Sequence, residues 1–221
     1  MKKLFKIIAV VNIVLSSSIS SAQHLGIEAG LNYDQQIGHF QAPCGCTFAG
    51  GTGISFFGSL SYELFSFSDF VTGITTGIRN NHVTDYEVEP ASLQRILNGD
   101  RQQTNLLYIT IGPYLQYTIP STSIFLAFSP QVGYLLSKNF HHIGGSSSDE
   151  PEIGNSDTTI DIRSVRLATK LSAGYNIIIG NFTVSPILSF DFPLNTLRSN
   201  STDGGWRITS LSGSIMVRFN L

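Results

Sequence analysis

Charged residues and long apolar runs are both scarce in this chain. Asp, Glu, Lys and Arg make up only 13% of the 221 residues, against about 25% in a typical soluble domain. Beyond the first 22 residues there is no run of about twenty apolar residues, so we expect no membrane-spanning helix. Such a chain must spread its apolar residues thinly, as alternation along β-strands does.

Basic residues are also too few for a nucleic-acid partner. Lys2, Lys3 and Lys6 lie in an N-terminal segment that we expect to be removed (see below). Without them, the 13 basic residues fall to 10 against 15 acidic residues, which leaves a formal net charge of −5. Because phosphate binding requires a basic surface, we predict no nucleic acid as a partner.

The first 22 residues have the layout of a secretory signal peptide. A basic start precedes the apolar run IIAVVNIVL of residues 7–15, which is too short to span a bilayer. Ser20 and Ala22 are the small residues of a cleavage site. A buried N-terminal helix is the alternative, but the serine-rich residues 16–21 interrupt it. We expect residues 1–22 to be removed after Ala22, and residues 23–221 to form one exported domain.

Eight stretches of the remaining chain alternate with a period of two residues. Each has one apolar face and one face rich in Gly, Ser and Thr. They are residues 25–34, 53–64, 70–79, 105–119, 124–137, 164–179, 182–192 and 207–221. The pattern predicts an all-β fold, an eight-stranded antiparallel up-and-down β-barrel.

The connections between these stretches alternate in length. Short ones span residues 65–69, 120–123 and 180–181, and long ones span residues 35–52, 80–104, 138–163 and 193–206. Gly180 and Asn181 are typical of a two-residue hairpin turn. Short turns at one end and long loops at the other are typical of bacterial outer-membrane barrels. We therefore predict a transmembrane β-barrel in the bacterial outer membrane, surrounded by its lipid, with both termini in the periplasm.

Alternation alone does not say which face points outward. The polar face lacks the Lys and Glu density of a water-facing surface. Aromatic residues of the apolar face gather near the strand ends, as two membrane interfaces require; they are Tyr33, Tyr62, Tyr117, Tyr134, Tyr175, Phe190, Phe192 and Phe219. We predict that the apolar face is outside; a soluble sandwich or lipocalin-like barrel is the alternative.

The sparse charges of the polar face are predicted to form a network of ion pairs in the lumen, because an unpaired desolvated charge is costly. The residues are Glu28, Asp34, Glu63, Arg79, Arg166, Lys170, Asp191 and Arg218. Strand order groups Arg218 with Glu28 and Glu63 near the short turns. It groups Arg166 with Asp191 near the loops, with Lys170 deeper and with Asp34 and Arg79 at the same upper level. Simple filling of the lumen and a functional relay both remain open.

Three prolines oppose this interpretation. Pro113, Pro130 and Pro186 lie inside predicted strands, where proline removes a donor from the hydrogen-bond ladder. We expect bulges or locally unpaired carbonyl groups at these positions.

Three segments resemble the PorT-like outer-membrane β-barrel domain family. LLYITIGPYLQYTI (106–119) is similar to its fourth strand, FLAFSPQVGYLLS (125–137) to its fifth, and IMVRFNL to its C-terminal strand. The resemblance implies an eight-stranded outer-membrane barrel inserted by the barrel-assembly machinery, which reads an aromatic-ended last strand. Here Asn220 and Leu221 follow Phe219, which departs from that pattern. The family has no common catalytic residues to carry over.

The long loops contain the remaining candidates for chemistry. Cys44 and Cys46 are predicted to form a loop disulfide or an intermolecular bond, although a ring that encloses one residue is strained; redox or metal binding is the alternative. His82 with Asp85, and His141–His142 with serines 146–148, are candidates for a catalytic group at the rim. Residues 89–99 are predicted to form a short helix that packs on the rim or binds a partner. The acidic residues of the second and third loops fit a solvated surface, with divalent-cation bridging as the alternative.

An eight-stranded barrel leaves room inside only for side chains. We therefore predict a non-enzymatic scaffold whose long loops contact an extracellular or envelope partner, without catalytic residues, metal or cofactor. A narrow, porin-like pore or small-ligand transporter is the first alternative. A lipid-modifying enzyme at the rim is the second.

Overall fold

A computed structural model describes residues 24–41, 47–87, 101–143, 162–198 and 205–220. Within these ranges the chain forms ten strand segments of one antiparallel sheet. They are β1 (His24–Ile37), β2 (His39–Gln41), β3 (Thr47–Phe67), β4 (Phe70–Glu87), β5 (Arg101–Thr118), β6 (Ile124–Ile143), β7 (Val165–Tyr175), β8 (Ile177–Ile179), β9 (Phe182–Pro193) and β10 (Arg207–Asn220).

The sheet closes on itself because β1 pairs with both β10 and β3. Leu25 is in register with Phe219 on one side and with Tyr62 on the other. β2 follows β1 after Gly38 and pairs with β3, and β8 follows β7 after Asn176 and pairs with β9. These two short segments continue their predecessors, so the described chain is an eight-stranded up-and-down barrel, as predicted.

The two ends of the barrel differ. The turn end contains the tight connections at Ser68–Asp69, at residues 119–123 and at Gly180–Asn181, together with His24 and Asn220. Gly180 has a φ of 58°, which a glycine adopts without strain. The loop end contains the long connections. In the described part of the chain, no helix has both the length and the apolar character needed to cross a membrane.

The outer face of the barrel is apolar and the inner face is polar. Along β5 the outward Ile109 and Ile111 are 45% and 56% exposed, whereas the inward Thr110 and Gln116 are buried. The same alternation holds on β7, where Leu171 is 52% exposed and Lys170 is buried. The predicted direction of the two faces agrees with this structure. We call the exposed apolar outer surface the apolar belt.

The predicted boundaries at the loop end are wrong, because several strands extend into segments predicted as loops. β4 ends at Glu87 instead of near residue 79, and β6 ends at Ile143 instead of near residue 137. β5 begins at Arg101 and β3 at Thr47. The extensions of β4, β5 and β6 pair continuously, since Asp85 is in register with Gln102 and Gln102 with His142. These strands therefore extend the barrel wall beyond the apolar belt.

The three prolines coincide with gaps in the ladders. The β5–β6 ladder is interrupted between the Ile111–Val132 and Leu115–Phe128 pairs, and Pro113 and Pro130 face each other in this gap. The gap between β7 and β8 lies opposite Pro186 of β9. The expected loss of pairing is present, whereas the register shifts of the ladders lie elsewhere.

An apolar cluster fills the lumen at the loop end. It consists of Phe48, Val83, Leu106, Tyr108, Ile162, Leu197, Trp206 and Ile208, and we call it the loop-end cluster. The indole Nε1 of Trp206 donates to the Gln36 side chain at 2.8 Å. The Leu197 backbone N–H donates to the Trp206 carbonyl oxygen at 2.9 Å, so a loop segment beyond β9 packs into the barrel mouth.

Candidate functional site

The lumen below the loop-end cluster contains all eight charged residues singled out in the sequence. They comprise four carboxylates and four cations, so their formal charges cancel. Each is buried, with at most 8% of its surface exposed. Period-two alternation places them inside, because each occupies the parity opposite to the exposed apolar residues of its strand.

Arg218 of β10 organises the level nearest the turn end. Its Nη1 lies 3.6 Å from Oε1 of Glu63 on β3, and its Nη2 donates to Oε1 of Gln116 on β5 at 2.7 Å. The guanidinium carbon lies 5.3 Å from the centre of the Phe125 ring. His24 Nε2 lies 3.9 Å from Oε2 of Glu63. One arginine thus links β10 to strands on two other sides of the lumen.

Glu28 and Lys170 form the middle level. Lys170 Nζ donates to both carboxylate oxygens of Glu28, at 2.9 and 3.1 Å. Ser214 and Ser59 also donate to this carboxylate, at 2.7 and 3.2 Å. Lys170 Nζ lies 4.6 Å from the centre of the Phe57 ring. Because β7 and β1 are not neighbours in the sheet, this pair joins separate walls of the barrel.

Asp191 forms ion pairs with two guanidinium groups at the next level. Arg166 on the adjacent strand β7 forms a hydrogen-bonded ion pair with Asp191 Oδ1. Nη1 of Arg79 on β4 lies 3.2 Å from Asp191 Oδ2. Since β4 and β9 are separated by three strands on either side, Arg79 spans the lumen.

Asp34 is held by uncharged donors. Asn81 Nδ2 donates to its Oδ1 at 3.1 Å, and Ser210 Oγ donates to the same oxygen. The backbone N–H of His82 donates to Oδ2 at 2.8 Å. This carboxylate therefore has three donors and joins β1, β4 and β10.

One of the expected groupings differs from the structure, because Glu28 bonds with Lys170 instead of Arg218. Within the predicted upper level, Arg79 pairs with Asp191, and Asp34 is bound by neutral groups. The prediction from the sequence grouped mainly charged residues on neighbouring strands. Long Arg and Lys side chains reach across the narrow lumen, so they form ion pairs with carboxylates on distant strands.

A cavity of about 60 Å³ separates the middle level from the level nearest the turn end. Tyr114, Gln116, Phe125, Lys170 and Arg218 are among its lining residues. This volume has room for a few water molecules. Among the described residues, no group of three or more His, Cys, Asp or Glu side chains could hold a metal ion.

Several luminal residues were missed in the sequence. Tyr108, Phe57 and Phe125 are inward aromatic residues, and Leu106 belongs to the loop-end cluster. Their parity along the strands is a usable signal, because Leu106 and Tyr108 alternate with the outward Leu107 and Ile109. This signal was missed because these residues are apolar, and apolar residues were assigned to the outer face.

The rim candidates do not form a catalytic group in the described residues. His82 lies on the outer side of β4, where its Nδ1 is 2.7 Å from Oδ1 of Asn105. Asp85 is fully buried on the inner side. Burial raises the pKa of the Asp85 carboxyl to about 7, although the backbone N–H of Gly51 acts in the opposite direction. His82 and Asp85 thus lie on opposite faces of one strand.

Several other predictions concern residues that lie outside the described ranges. These are the signal peptide of residues 1–22, Cys44 and Cys46, the helix of residues 89–99 and serines 146–148. His141 is on β6, and nothing is described of the His142 side chain.

No family model and no curated protein matches this chain. Among solved structures, it is similar to the Neisserial surface protein A, with 10% identity over 89% of this chain and 97% of that chain and a TM-score of 0.42. It is also similar to Ail, the attachment invasion locus protein of Yersinia pestis in complex with the heparin analogue sucrose octasulfate; the identity is 11% over 89% and 99% of the two chains, with a TM-score of 0.40. The N-terminal β-barrel domain of Pseudomonas aeruginosa OprF follows with 10% identity, 91% and 100% coverage and a TM-score of 0.35. Membership of the PorT-like family stays a prediction.

Proposed function

We propose that this protein is an integral β-barrel of a bacterial outer membrane that acts as a non-enzymatic scaffold. Its long loops and the strand extensions at the loop end contact an extracellular or envelope partner. The barrel-assembly machinery inserts it after export and removal of residues 1–22. The loop end faces the exterior and the turn end faces the periplasm.

The apolar belt is the main observation that supports this proposal. Val132 and Leu171 are 48% and 52% exposed on the outside, whereas charged residues are paired within. Reversal of the two faces would place Lys170 in hydrocarbon, at a cost of roughly 2–4 kcal/mol near the midplane. In water the belt would be an apolar surface far larger than soluble monomers expose. In a bilayer the apolar belt would instead contact hydrocarbon.

A scaffold is favoured over a pore because side chains fill the described lumen. Three levels of ion pairs cross it, and the loop-end cluster packs above them. The cavity of about 60 Å³ lies between these levels. A solute pathway would require the Glu28–Lys170 and Arg79–Asp191 contacts to separate.

The rim enzyme has less support. The two candidate residues described on β4, His82 and Asp85, point to opposite sides of the wall. An acyl-transfer or hydrolysis site needs its base and its orienting carboxylate in mutual contact.

Cell fractionation tests the proposed location. The full chain is expressed in a bacterium with two membranes, and the inner-membrane, outer-membrane and soluble fractions are compared on gels with and without heating. We expect the protein in the outer-membrane fraction, with a mobility that changes on heating because the closed barrel resists unfolding by detergent. Recovery in the soluble fraction after export would contradict the proposal.

A further inference from the structure

On the outer wall of β4 to β6, the apolar belt gives way to mostly polar residues toward the loop end, whereas on β3 the exposed Phe56 continues it. Ile78 of β4 and Ile109 of β5 are paired, and both are exposed. One step toward the loop end, Asn80 pairs with Leu107; a further step up, His82 pairs with Asn105. On β6, Ser137 is in register with Leu107 and Asn139 with Asn105. Asn80 and Ser137 thus flank Leu107 at the first level, and the level above it is polar on all three strands.

An outward groove of about 270 Å³ lies at this boundary. Its lining consists of Phe56, Asn80, Asn105, Leu107, Ser137 and Asn139. Phe56 is half exposed, and Ser137 and Asn139 are exposed. The groove therefore has apolar residues that continue the belt and polar residues that lie beside and just above them.

The polar lining residues are uncharged. Each Asn amide has two donors and one carbonyl acceptor, and the Ser hydroxyl both donates and accepts. Sugar hydroxyl and N-acyl groups match this mixture, whereas a phosphate group is typically bound by Arg or Lys. His82 Nδ1 donates to Asn105 Oδ1 at 2.7 Å, which fixes the amide and directs its NH2 group away from the histidine.

We propose that this groove binds the sugar headgroup of an outer-leaflet glycolipid. The sugar contacts Asn105, Asn139 and Asn80, and the acyl chains follow Phe56, Leu107 and Ile109 down the apolar belt. Continuity with the belt favours a lipid-linked sugar over a free one, because the occupant then contacts both parts of the groove. This inference rests on the proposed location in the outer membrane.

Native mass spectrometry of the full chain tests the proposal. The protein is inserted into phosphatidylcholine nanodiscs that contain lipid A, dephosphorylated lipid A or phosphatidylglycerol, and is then released with detergent. The variants are Asn105→Ala with Asn139→Ala, and Asn181→Ala, which removes an exposed amide at the turn end. We expect the wild type and N181A to retain both forms of lipid A. The double variant should retain about tenfold less, because each amide loses its hydrogen bonds.

Three outcomes would overturn the glycolipid site. They are equal retention by the double variant, retention of phosphatidylglycerol as strong as that of lipid A, and retention of only the phosphorylated form. The mobility of the unheated protein is measured in the same samples. A folded barrel without lipid A retention contradicts the site alone, whereas failure to insert contradicts the proposed function as well.

Discussion

At the scale of single residues, the Glu28–Lys170 pair shows how the lumen tolerates charge. Both side chains are buried, and Glu28 accepts from Lys170, Ser214 and Ser59. A buried ion pair contributes little to net stability compared with apolar residues of the same size, but an unpaired member is costly. Pairing thus explains how charges can be kept in the buried lumen of the barrel.

Removal of either partner should therefore destabilise the barrel. We expect Glu28→Gln and Lys170→Met each to lower the free energy of unfolding by about 3–5 kcal/mol. The double variant should recover most of this loss, because no charge is left alone. Urea unfolding in lipid vesicles, followed by gel mobility, gives the three values. Additive losses in the double variant would show that the two residues act independently.

Asp85 should make stability depend on pH. It lies on the extension of β4, outside the membrane-spanning part proposed here, and no side chain of the described residues bonds to its carboxylate. Burial raises its pKa to about 7, whereas an unfolded Asp titrates near 4. The folded state therefore holds a proton between about pH 4 and pH 7 that the unfolded state has lost, so stability falls as pH rises through this window.

The change Asp85→Asn removes this dependence. We expect the wild type to lose at most about 4 kcal/mol of unfolding free energy between pH 4 and pH 7, since one pH unit corresponds to about 1.4 kcal/mol. The D85N variant should show a smaller loss, and Asp69→Asn, at the turn end, should behave as the wild type. Urea titrations at pH 4.5, 6 and 8 measure the difference. Parallel curves for the wild type and D85N would contradict the assignment.

Individual contacts were harder to predict from the sequence than the side of the barrel wall on which each residue lies. Alternation placed Arg79, Lys170 and Asp191 correctly inside, because side-chain direction follows a period of two. It carries no information on the width of the lumen or on the reach of an arginine. Arg79 therefore contacts Asp191 on a distant strand, a pairing that strand order alone did not indicate.

At the scale of strands, the prolines are accommodated by an interrupted ladder. Pro113 and Pro130 face each other between β5 and β6, and Ser129 Oγ donates to the Pro113 carbonyl oxygen at 2.9 Å. The neighbouring pairs keep the same register, so the two strands stay aligned across the gap. Proline thus removes local hydrogen bonds here without a shift of the strands.

Gly112 is required beside this gap. A Cβ at Gly112 would lie 2.0 Å from the Pro130 carbonyl oxygen, whereas one at Gly133 on the same seam would meet no atom closer than 3.5 Å. We expect Gly112→Ala to lower the unfolding free energy by about 1–3 kcal/mol, as overpacking does, and Gly133→Ala to have little effect. The two variants can be compared by urea midpoint in vesicles. Equal midpoints would show that the strands separate easily at the prolines.

The strand ends at the loop end could not be predicted from alternation. The apolar and polar faces are distinct only where the outside is apolar, as at Ile78 and Ile109. Beyond this level the outward residues include His82, Asn105 and Asn139, whereas Val83 and Leu106 of the loop-end cluster lie inside, so the contrast between an apolar outer face and a polar inner face is lost. The hydrogen-bond ladder continues there, but the pattern that indicates a strand has ended.

At the scale of the whole molecule, the packed lumen predicts a barrel that does not conduct. Ion pairs and the loop-end cluster occupy the space that ions would need. We expect no steady single-channel currents from purified protein in planar lipid bilayers. Regular currents that disappear when Gly133 is replaced by Trp would support the pore instead, because Gly133 faces the lumen.

The direction of the apolar belt is tested most directly by spin labels in a Cys44→Ser, Cys46→Ser background. Labels are placed at Ile109→Cys, Leu171→Cys and Thr110→Cys in the protein inserted into vesicles, and their collisions with oxygen and with a water-soluble nickel complex are compared. We predict that the labels at positions 109 and 171 meet oxygen far more than nickel, as in hydrocarbon, whereas the label at position 110 meets little of either. Frequent collisions with nickel at positions 109 and 171 would contradict the account, because they would place the apolar belt in water.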